Sequence, residues 1–514
     1  MLFNSYAFLL VFLPITVAVF FLLARVSRSL AAAWLALASL AFYAWWDYRY
    51  IALLLGSILF NYVCGRSLAT RSGDGGGKVL LALAIGANLA LLGYYKYANF
   101  FISSYAAMAG APPMLLDIVL PIGISFYTFT QIAFLVDAYR GYAKEYRFVH
   151  YLLFVTYFPH LIAGPVLHHK EMMPQFAEPR IYAWSADNFS VGMTIFFIGL
   201  AKKVLVADNL APHANFLFGD AGAPSLLIAW GGVLAYTFQL YFDFSGYSDM
   251  AIGISRLFGV RLPLNFASPY KAADIAEFWR CWHMTLSRFL RDYLYIALGG
   301  NRSGPARRYT NLMLTMLLGG LWHGAGWTFV IWGGLHGLYL IVFHAWRALR
   351  ERFDLGSSRG PTSLVFSVAL TFIVTCFAWV FFRATDLSSA WQIVKGMVGM
   401  HGIALPEALG LRLGTLRTAF ESAGIGFYAG GGKRFFDTWL WVLLAAWLAF
   451  GCPNTQQILR HYQPALGFDA NTDSASDRQG AWHPGLGGGV VFGALAVACL
   501  LSLSSPSEFL YFQF

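Results

Sequence analysis

Apolar runs long enough to cross a bilayer recur along almost the whole chain, and they restrict the fold more than any other feature. A helix needs about 20 predominantly apolar residues to cross a ~30 Å hydrocarbon core. Only 12% of the 514 residues are charged, about half the share in a soluble globular protein. The sequence therefore predicts an all-α polytopic membrane protein. The predicted spans lie near 7–25, 30–46, 50–69, 79–97, 117–138, 188–206, 226–243, 247–260, 309–322, 325–346, 363–382, 434–451 and 487–505.

Shorter or amphipathic segments separate some of these spans. They lie near 98–112, 148–165, 273–296 and 388–400, and we expect them to be re-entrant or interfacial. About 11–13 of the predicted segments then cross the membrane.

The formal net charge of +10 could suggest a nucleic-acid partner. The Lys and Arg residues, however, lie mostly in short loops between apolar runs, where the positive-inside rule accounts for them. The five cysteines are scattered, and none forms a CxxC pair. We therefore expect no nucleic-acid partner, no metal site and no bound cofactor.

Polar and ionisable residues concentrate in one region, from Gln239 to His336. It contains QLYFDFSGYSDM, EFWRCWHMTLSRFLRDYLYIALGGNR and LLGGLWHGAGWTFVIWGGLHG. Ionisable groups at membrane depth cost free energy, so each is a candidate for function. The region is therefore predicted to form an active site inside the membrane.

His323 is the strongest candidate for catalysis. Arginines at 302, 307 and 308 precede its apolar stretch, and arginines at 347, 350 and 352 follow it. Basic flanks on both sides require an even number of crossings, so the chain must reverse near His323. An imidazole titrates near neutral pH and suits a general base that takes a proton from an attacking hydroxyl. The alternative is a structural histidine that forms a hydrogen bond between helices.

Aromatic and basic side chains surround two further histidines. His283 lies in a segment with Trp282, Arg280, Arg288 and Arg291, which suits either a membrane-interface helix or a site for an anionic donor. Trp322 precedes His323 directly, and His336 follows the predicted reversal. For His336, a polar contact between packed helices is favoured over lining of a substrate tunnel.

A third polar group is the YFDFSGYSD stretch. If it is helical, Asp243 and Tyr247 lie one turn apart, and so do Ser245 and Asp249. These side chains could line a tunnel or orient a histidine, or they could satisfy a backbone broken around Gly246. Lining and structural roles are favoured.

These segments resemble the membrane-bound O-acyltransferases (MBOAT), and within that family the membrane subunits of alginate O-acetyltransferases. The resemblance covers nearly the whole chain. Cys281 stands where the family's Arg–Arg–Trp motif has its second arginine. The similar motifs include FYAWW, GYYKYANF, LPIGISFYTF, FPHLIAGPV, KKVLVADNLA, QLYFDFSGYSDMAIG, EFWRCWHMTLSRFLRDYLYI, LGGNR and MLLGGLWHGA.

The resemblance implies one integral-membrane domain, 1–514, with a catalytic core near 117–346 and peripheral helices at 1–112 and 360–514. It implies a ring of helices around a tunnel, with His323 as the catalytic histidine and His283 as the second one. Implied partners are acetyl-CoA as donor, an exopolysaccharide acceptor, periplasmic SGNH-hydrolase-type proteins and membrane lipid. The implied location is the bacterial inner membrane.

Other functions remain open at this point. Within the same family, the acceptor could be cellulose, peptidoglycan or a teichoic acid that receives D-alanine. A proton-coupled transporter could use the histidines as a relay, although the repeat symmetry of such proteins is not evident in the sequence. A scaffold without catalytic activity would retain polysaccharide modification after loss of His323.

Overall fold

The computed structural model describes residues 1–71, 75–143, 147–162, 164–220, 222–354, 360–467, 482, 485–503 and 510. Helices dominate this part of the chain. The α-helices, in chain order, are α1 Leu13–Ala24, α2 Arg28–Ala44, α3 Ile51–Ala69, α4 Gly75–Leu92, α5 Ala98–Ala109, α6 Ile124–Tyr139, α7 Phe148–Thr156, α8 Phe158–Leu161, α9 His169–Ala177, α10 Ala186–Ala201, α11 Asp208–Asp220, α12 Leu226–Leu257, α13 Ile275–Cys281, α14 Met284–Phe289, α15 Gly304–His323, α16 Trp327–Arg352, α17 Pro361–Arg383, α18 Leu387–Met397, α19 Glu407–Gly410, α20 Leu416–Ser422, α21 Gly432–Ala446, α22 Thr455–Ile458 and α23 Leu486–Ser502.

Wider or tighter helical turns extend several of these helices. The π-helical turns are Ala7–Phe12, Gly93–Tyr97, Lys202–Ala207, Leu290–Tyr295 and Trp447–Gly451, and the 3₁₀ turns are Tyr48–Tyr50, Pro179–Tyr182, Pro269–Lys271 and Arg460–Tyr462. Two short parallel strands, β1 Ile403–Pro406 and β2 Ile425–Tyr428, pair with Ile403 opposite Ile425.

Six helical segments in the described part of the chain are long and apolar enough to cross a membrane: Ala7–Ala24, Tyr48–Ala69, Gly75–Ala109, Ala186–Gly219, Trp327–Arg352 and Pro361–Arg383. Two shorter apolar helices, α2 and α23, accompany them. The prediction of an all-α polytopic membrane protein is confirmed. The total of 11–13 crossings stays a prediction.

The chain forms two compact units, each assembled from separate stretches. The first unit comprises Met1–Ala201, Gly246–Asn265 and Thr455–Ser504. In it α6 packs on α3 and α4, and α23 packs on α10. Buried Asn61 and Asn88 join α3 to α4 by reciprocal amide hydrogen bonds of 3.0 and 2.7 Å. Such pairs satisfy polar groups where no water reaches them.

The second unit comprises Lys202–Ser245, Phe266–Asn454 and Ser505–Phe514. Its core packs α15 against α16, α16 against α17 and α13 against α16. Side chains cap two of its helices: Asp274 accepts the Glu277 N–H at the start of α13, and Asp386 accepts the Ser389 N–H at the start of α18. That the whole chain acts as one domain with a core near 117–346 stays a prediction.

The structure corrects two predicted boundaries. The expected spans 226–243 and 247–260 are one continuous helix, α12, without a break at Gly246. A Cβ on Gly199 would lie 2.6 Å from the Gly246 carbonyl oxygen, so small residues serve close helix packing here rather than a break. The span expected from residue 117 begins only at Ile124, after Gly123 adopts a left-handed φ of 71°. The four segments predicted to be short contain the short helices α5, α7, α8, α13, α14 and α18.

Candidate active site

A hairpin of α15 and α16 in the second unit is the frame of the site. α15 ends at His323, the extended residues Gly324 and Gly326 follow, and α16 begins at Trp327. The predicted reversal at His323 is confirmed. The two helices approach closely, because a Cβ on Gly320 would lie only 3.1 Å from the backbone N and Cα of Gly333.

His323 is buried at the closed end of this hairpin. Its ring centre lies 5.0 Å from that of Trp322, 5.1 Å from that of Trp332 and 5.1 Å from that of Phe382. A small cavity of about 10 Å³, with room for roughly one water molecule, adjoins it, and we call it the histidine chamber. Its lining is apolar except for the imidazole and indole groups, and it consists of Leu240, Phe244, Trp282, His323, Trp332, Trp379 and Phe382.

His283 lies beside the chamber, at the junction between α13 and α14. Its φ of 42° is in the left-handed region, which a residue with a side chain adopts only when the surroundings hold it there. Its ring centre is 6.3 Å from that of His323 and 4.8 Å from that of Phe244. His283 lies outside the candidate membrane-spanning helices. Burial lowers its pKa to about 3, so the imidazole is neutral at physiological pH.

A second cavity, the basic pocket, lies toward the open end of the same hairpin. Its volume is about 360 Å³. Arg308 donates a 2.8 Å hydrogen bond to Nδ1 of His344, and Arg291 forms a 2.7 Å ion pair with Asp292. Guanidinium groups in a cleft suit phosphate binding. The lining residues are Trp279, Ser287, Leu290, Arg291, Tyr295, Asn301, Arg308, Leu312, Thr315, Met316, Leu340 and His344.

The structure places the predicted site residues of the second unit in different surroundings. Trp282 lines the histidine chamber and Arg291 lines the basic pocket. Arg280 is exposed and Arg288 is half-buried, and neither lines these two cavities. His336 is fully buried, with its ring centre 5.2 Å from that of Trp279.

Asp243 belongs to a buried ion cluster in the second unit. Its Oδ1 lies 2.5 Å from Nζ of Lys203, and Asp208 lies 2.8 Å from the same nitrogen. Buried charges persist only when they are paired. Asp243 thus ties α12 to the turn that follows α10, and it does not line the histidine chamber.

Tyr247 and Asp249 fall in the first unit, so the structure does not group them with His323 in one unit. The Tyr247 ring stacks on Phe3 with centres 4.7 Å apart. Asp249 accepts hydrogen bonds from Thr455 at 2.6 Å and from Gln456 at 3.3 Å. These contacts are those of helix packing.

Arg308 and His344 are site residues that the sequence analysis did not single out. The predicted hairpin could have pointed to them, because Arg308 and His344 lie at similar numbers of residues from its turn. In two antiparallel helices such positions lie opposite each other. Phe244 and Phe382, which also line the histidine chamber, left no comparable signal. Phe244 stands in the YFDFSGYSD stretch, where the polar side chains drew the prediction, and Phe382 lies in an ordinary apolar run.

In the part of the chain that the structure describes, no group of three or more His, Cys, Asp or Glu side chains is placed to hold a metal ion. The site is thus described by two histidines, an aromatic chamber and a basic pocket on one helical hairpin.

Comparison with known proteins decides the family. The model of the membrane-bound O-acyltransferase family matches residues 95–385, which include both cavities. The chain belongs to this family. It is therefore an acyltransferase and a multi-pass membrane protein.

Several relatives of this MBOAT enzyme are similar over most of their length. It is 44% identical to a peptidoglycan O-acetyltransferase of Helicobacter pylori over 432 residues, covering 79% of this chain and 81% of that protein. It is 42% identical to the probable alginate O-acetylase AlgI of Pseudomonas aeruginosa, covering 82% and 80%. A protein of the same name from Azotobacter vinelandii is 40% identical, and the match covers all of both chains.

Proposed function

We propose that this enzyme is an O-acetyltransferase of the bacterial inner membrane that takes acetyl groups from cytoplasmic acetyl-CoA for an alginate-like exopolysaccharide. The observation that carries the proposal is the hairpin itself. It holds a buried histidine at its closed end and a basic pocket toward its open end. The names of the Pseudomonas and Azotobacter relatives support alginate as the acceptor.

His323 acts as the general base. One ring nitrogen takes the proton from the acceptor hydroxyl while the hydroxyl oxygen attacks the thioester carbonyl carbon. The carbon–sulfur bond then breaks, and the sulfur leaves as the CoA thiol with the proton from His323. The aromatic chamber excludes water, which would otherwise compete as the acceptor. A transient acyl-histidine is the alternative route.

The basic pocket holds the phosphates of the donor. Arg291 and Arg308 supply guanidinium groups that pair with phosphate oxygens. The arginines before and at the start of α15 and in the last turns of α16, all at the open end of the hairpin, support a cytoplasmic position of this pocket by the positive-inside rule. Arg308 and His323 are fifteen residues apart on α15, or roughly 22 Å along its axis, so the donor needs a long arm.

His283 is the second histidine of the proposed mechanism. Its neutral imidazole lies beside His323 and offers one hydrogen-bond donor and one acceptor. It orients the donor thioester or the acceptor hydroxyl. From the chamber, the acetyl group passes to periplasmic proteins of the SGNH-hydrolase type, which complete the transfer to the polysaccharide.

Peptidoglycan is the second candidate acceptor. The name of the Helicobacter pylori relative favours it, because that protein shares 44% of its residues with this chain in the matched region. The donor, the base and the chamber are the same in both cases. Only the final acceptor and the periplasmic partner differ.

The test uses purified protein in detergent with radiolabelled acetyl-CoA. The parent is compared with His323→Ala and with His213→Ala, a histidine of α11 that lines neither of the two cavities. We expect CoA release and label transfer to an added periplasmic SGNH-type partner or polysaccharide in the parent and the His213 variant, and neither in the His323 variant. Equal turnover in all three would remove His323 from the mechanism. If label is transferred to peptidoglycan fragments but not to alginate, the proposed acceptor is wrong and peptidoglycan takes its place.

A further inference from the structure

His336 is a buried imidazole that the described residues leave without hydrogen bonds. It is fully inaccessible to solvent, and both ring nitrogens lack a hydrogen-bond partner among the described residues. Aromatic rings surround it instead: its centre lies 4.8 Å from that of Trp332, 5.2 Å from that of Trp279 and 6.0 Å from that of Phe278. Burying such a group without partners costs free energy. A phenylalanine would fill the same space without that cost.

The position of His336 on α16 is equally specific. Trp332, His336, Leu340 and His344 follow each other at intervals of four residues, so they lie along one face of the helix. Trp332 lines the histidine chamber, whereas Leu340 and His344 line the basic pocket. His336 therefore stands between the two cavities, one helical turn from each.

The neighbours of His336 confirm this intermediate position. Trp279, which packs against its edge, lines the basic pocket. Trp332 and Trp379, with ring centres 4.8 and 6.1 Å away, line the chamber. A donor that reaches from the pocket to His323 along this face of the hairpin passes the His336 ring.

We propose that His336 is a positioning residue for the arm of the acyl donor, and that it selects donors whose arm carries an amide. The inference rests on the proposed function and deepens it. A neutral imidazole offers one N–H donor and one bare nitrogen acceptor. An amide offers the complementary carbonyl and N–H, so a pantetheine-type arm satisfies both nitrogens. The indole and phenyl groups around it supply only apolar contact.

His336 does not take part in the covalent step. Its role is to hold the arm so that the thioester lies in the chamber beside His323. A site built to pair with a polar group discriminates strongly against a ligand that lacks this group. The enzyme should consequently distinguish thioesters by their arms even when the acyl group is the same.

The experiment compares two small donors that lack the nucleotide. S-Acetylpantetheine carries both amides of the CoA arm, and S-propyl thioacetate carries none. The ratio of their kcat/KM values is measured for the parent, His336→Phe, His336→Asn and the control His213→Phe. We expect His336→Phe to lower the preference for S-acetylpantetheine over S-propyl thioacetate about 10- to 100-fold, since it removes two neutral hydrogen bonds worth about tenfold each. His336→Asn restores part of it, and the control keeps the value of the parent.

Thermal unfolding provides a second readout. Because His336→Phe removes an unpaired buried polar group from an aromatic cage, its Tm should equal or exceed that of the parent, while donor selectivity falls. A histidine needed only for packing would give the opposite result: a lower Tm and an unchanged ratio.

Binding of CoA to each protein separates failure of this inference from failure of the proposed function. Calorimetry follows it without any acceptor. A parent that binds no CoA would overturn the proposed donor, and the inference with it. If the parent binds CoA but His336→Phe leaves the ratio of the two kcat/KM values unchanged, only the inference about His336 is overturned.

Discussion

The tight crossing of α15 and α16 predicts a sharp difference between two adjacent glycines. A Cβ on Gly333 would overlap the Met316 carbonyl oxygen and lie 3.2 Å from the Leu317 Cα, and backbone atoms cannot move aside. A Cβ on Gly334 would meet only the end of the Leu317 side chain, at 3.5 Å. The substitution is the same in both cases, so helix propensity cancels. We therefore expect Gly333→Ala, but not Gly334→Ala, to force the hairpin apart.

The expected size follows from overpacking, which costs about 1–3 kcal/mol in a filled core. A difference of about 2 kcal/mol corresponds to a Tm about 4–8 °C lower for a unit of 150–250 residues. Gly333 is also next to Trp332 of the chamber wall. A shift of about 1 Å there can lower turnover about 100-fold.

The assay measures thermal unfolding and acetyl transfer for the parent and both alanine variants in the same detergent. Gly334→Ala should match the parent or gain up to about 1 kcal/mol from its better helix propensity. If the two variants unfold together and retain equal turnover, close contact of the helices does not hold the site, and the argument is refuted.

Three further predictions concern charged residues. Asp243→Asn should lower the Tm because it leaves buried Lys203 with one carboxylate; an unchanged Tm would show that the pair contributes nothing. Arg308→Leu should raise the KM for acetyl-CoA about tenfold and leave kcat nearly unchanged, whereas a lower kcat alone would place Arg308 outside donor binding. The Ser389 N–H holds the pKa of Asp386 below its usual value. Asp386→Ala should cost about 1 kcal/mol at neutral pH; this difference should begin to shrink below about pH 4 and disappear once the pH falls below the lowered pKa of folded Asp386, and a difference that does not shrink on acidification would contradict the capping role.

Much of the frame could be predicted because a membrane leaves few choices. Apolar length located the helices, and the arginines on both sides of His323 required a reversal. The glycines around the turn marked where the helices come close. Each of these signals can be read from neighbouring residues or from a count of charged residues, so it is visible in the sequence without a structure.

The composition of the chamber could not be predicted in the same way. Asp243 and Asp249 were grouped because they are close in sequence, but residues six positions apart lie on different faces of a helix. Asp243 pairs with Lys203, and Asp249 pairs with Thr455, more than 200 residues away along the chain. Which partner each residue meets depends on tertiary packing, which no periodicity encodes.

His336 illustrates the limit most clearly. A polar contact between helices was the favoured role from sequence, because buried histidines usually find a partner. The structure shows His336 buried, and its ring nitrogens have no hydrogen-bond partner among the described residues. Only the positions of both cavities reveal that the residue lies between them.

The left-handed backbone at His283 restricts the substitutions that this position can accept. Glycine adopts its φ of 42° without strain and asparagine tolerates it, but valine, isoleucine and threonine are poorly suited to it. A random library at residue 283 would lose the β-branched residues at the folding stage, before any activity is screened. The backbone angle and the imidazole ring thus restrict residue 283 independently of each other.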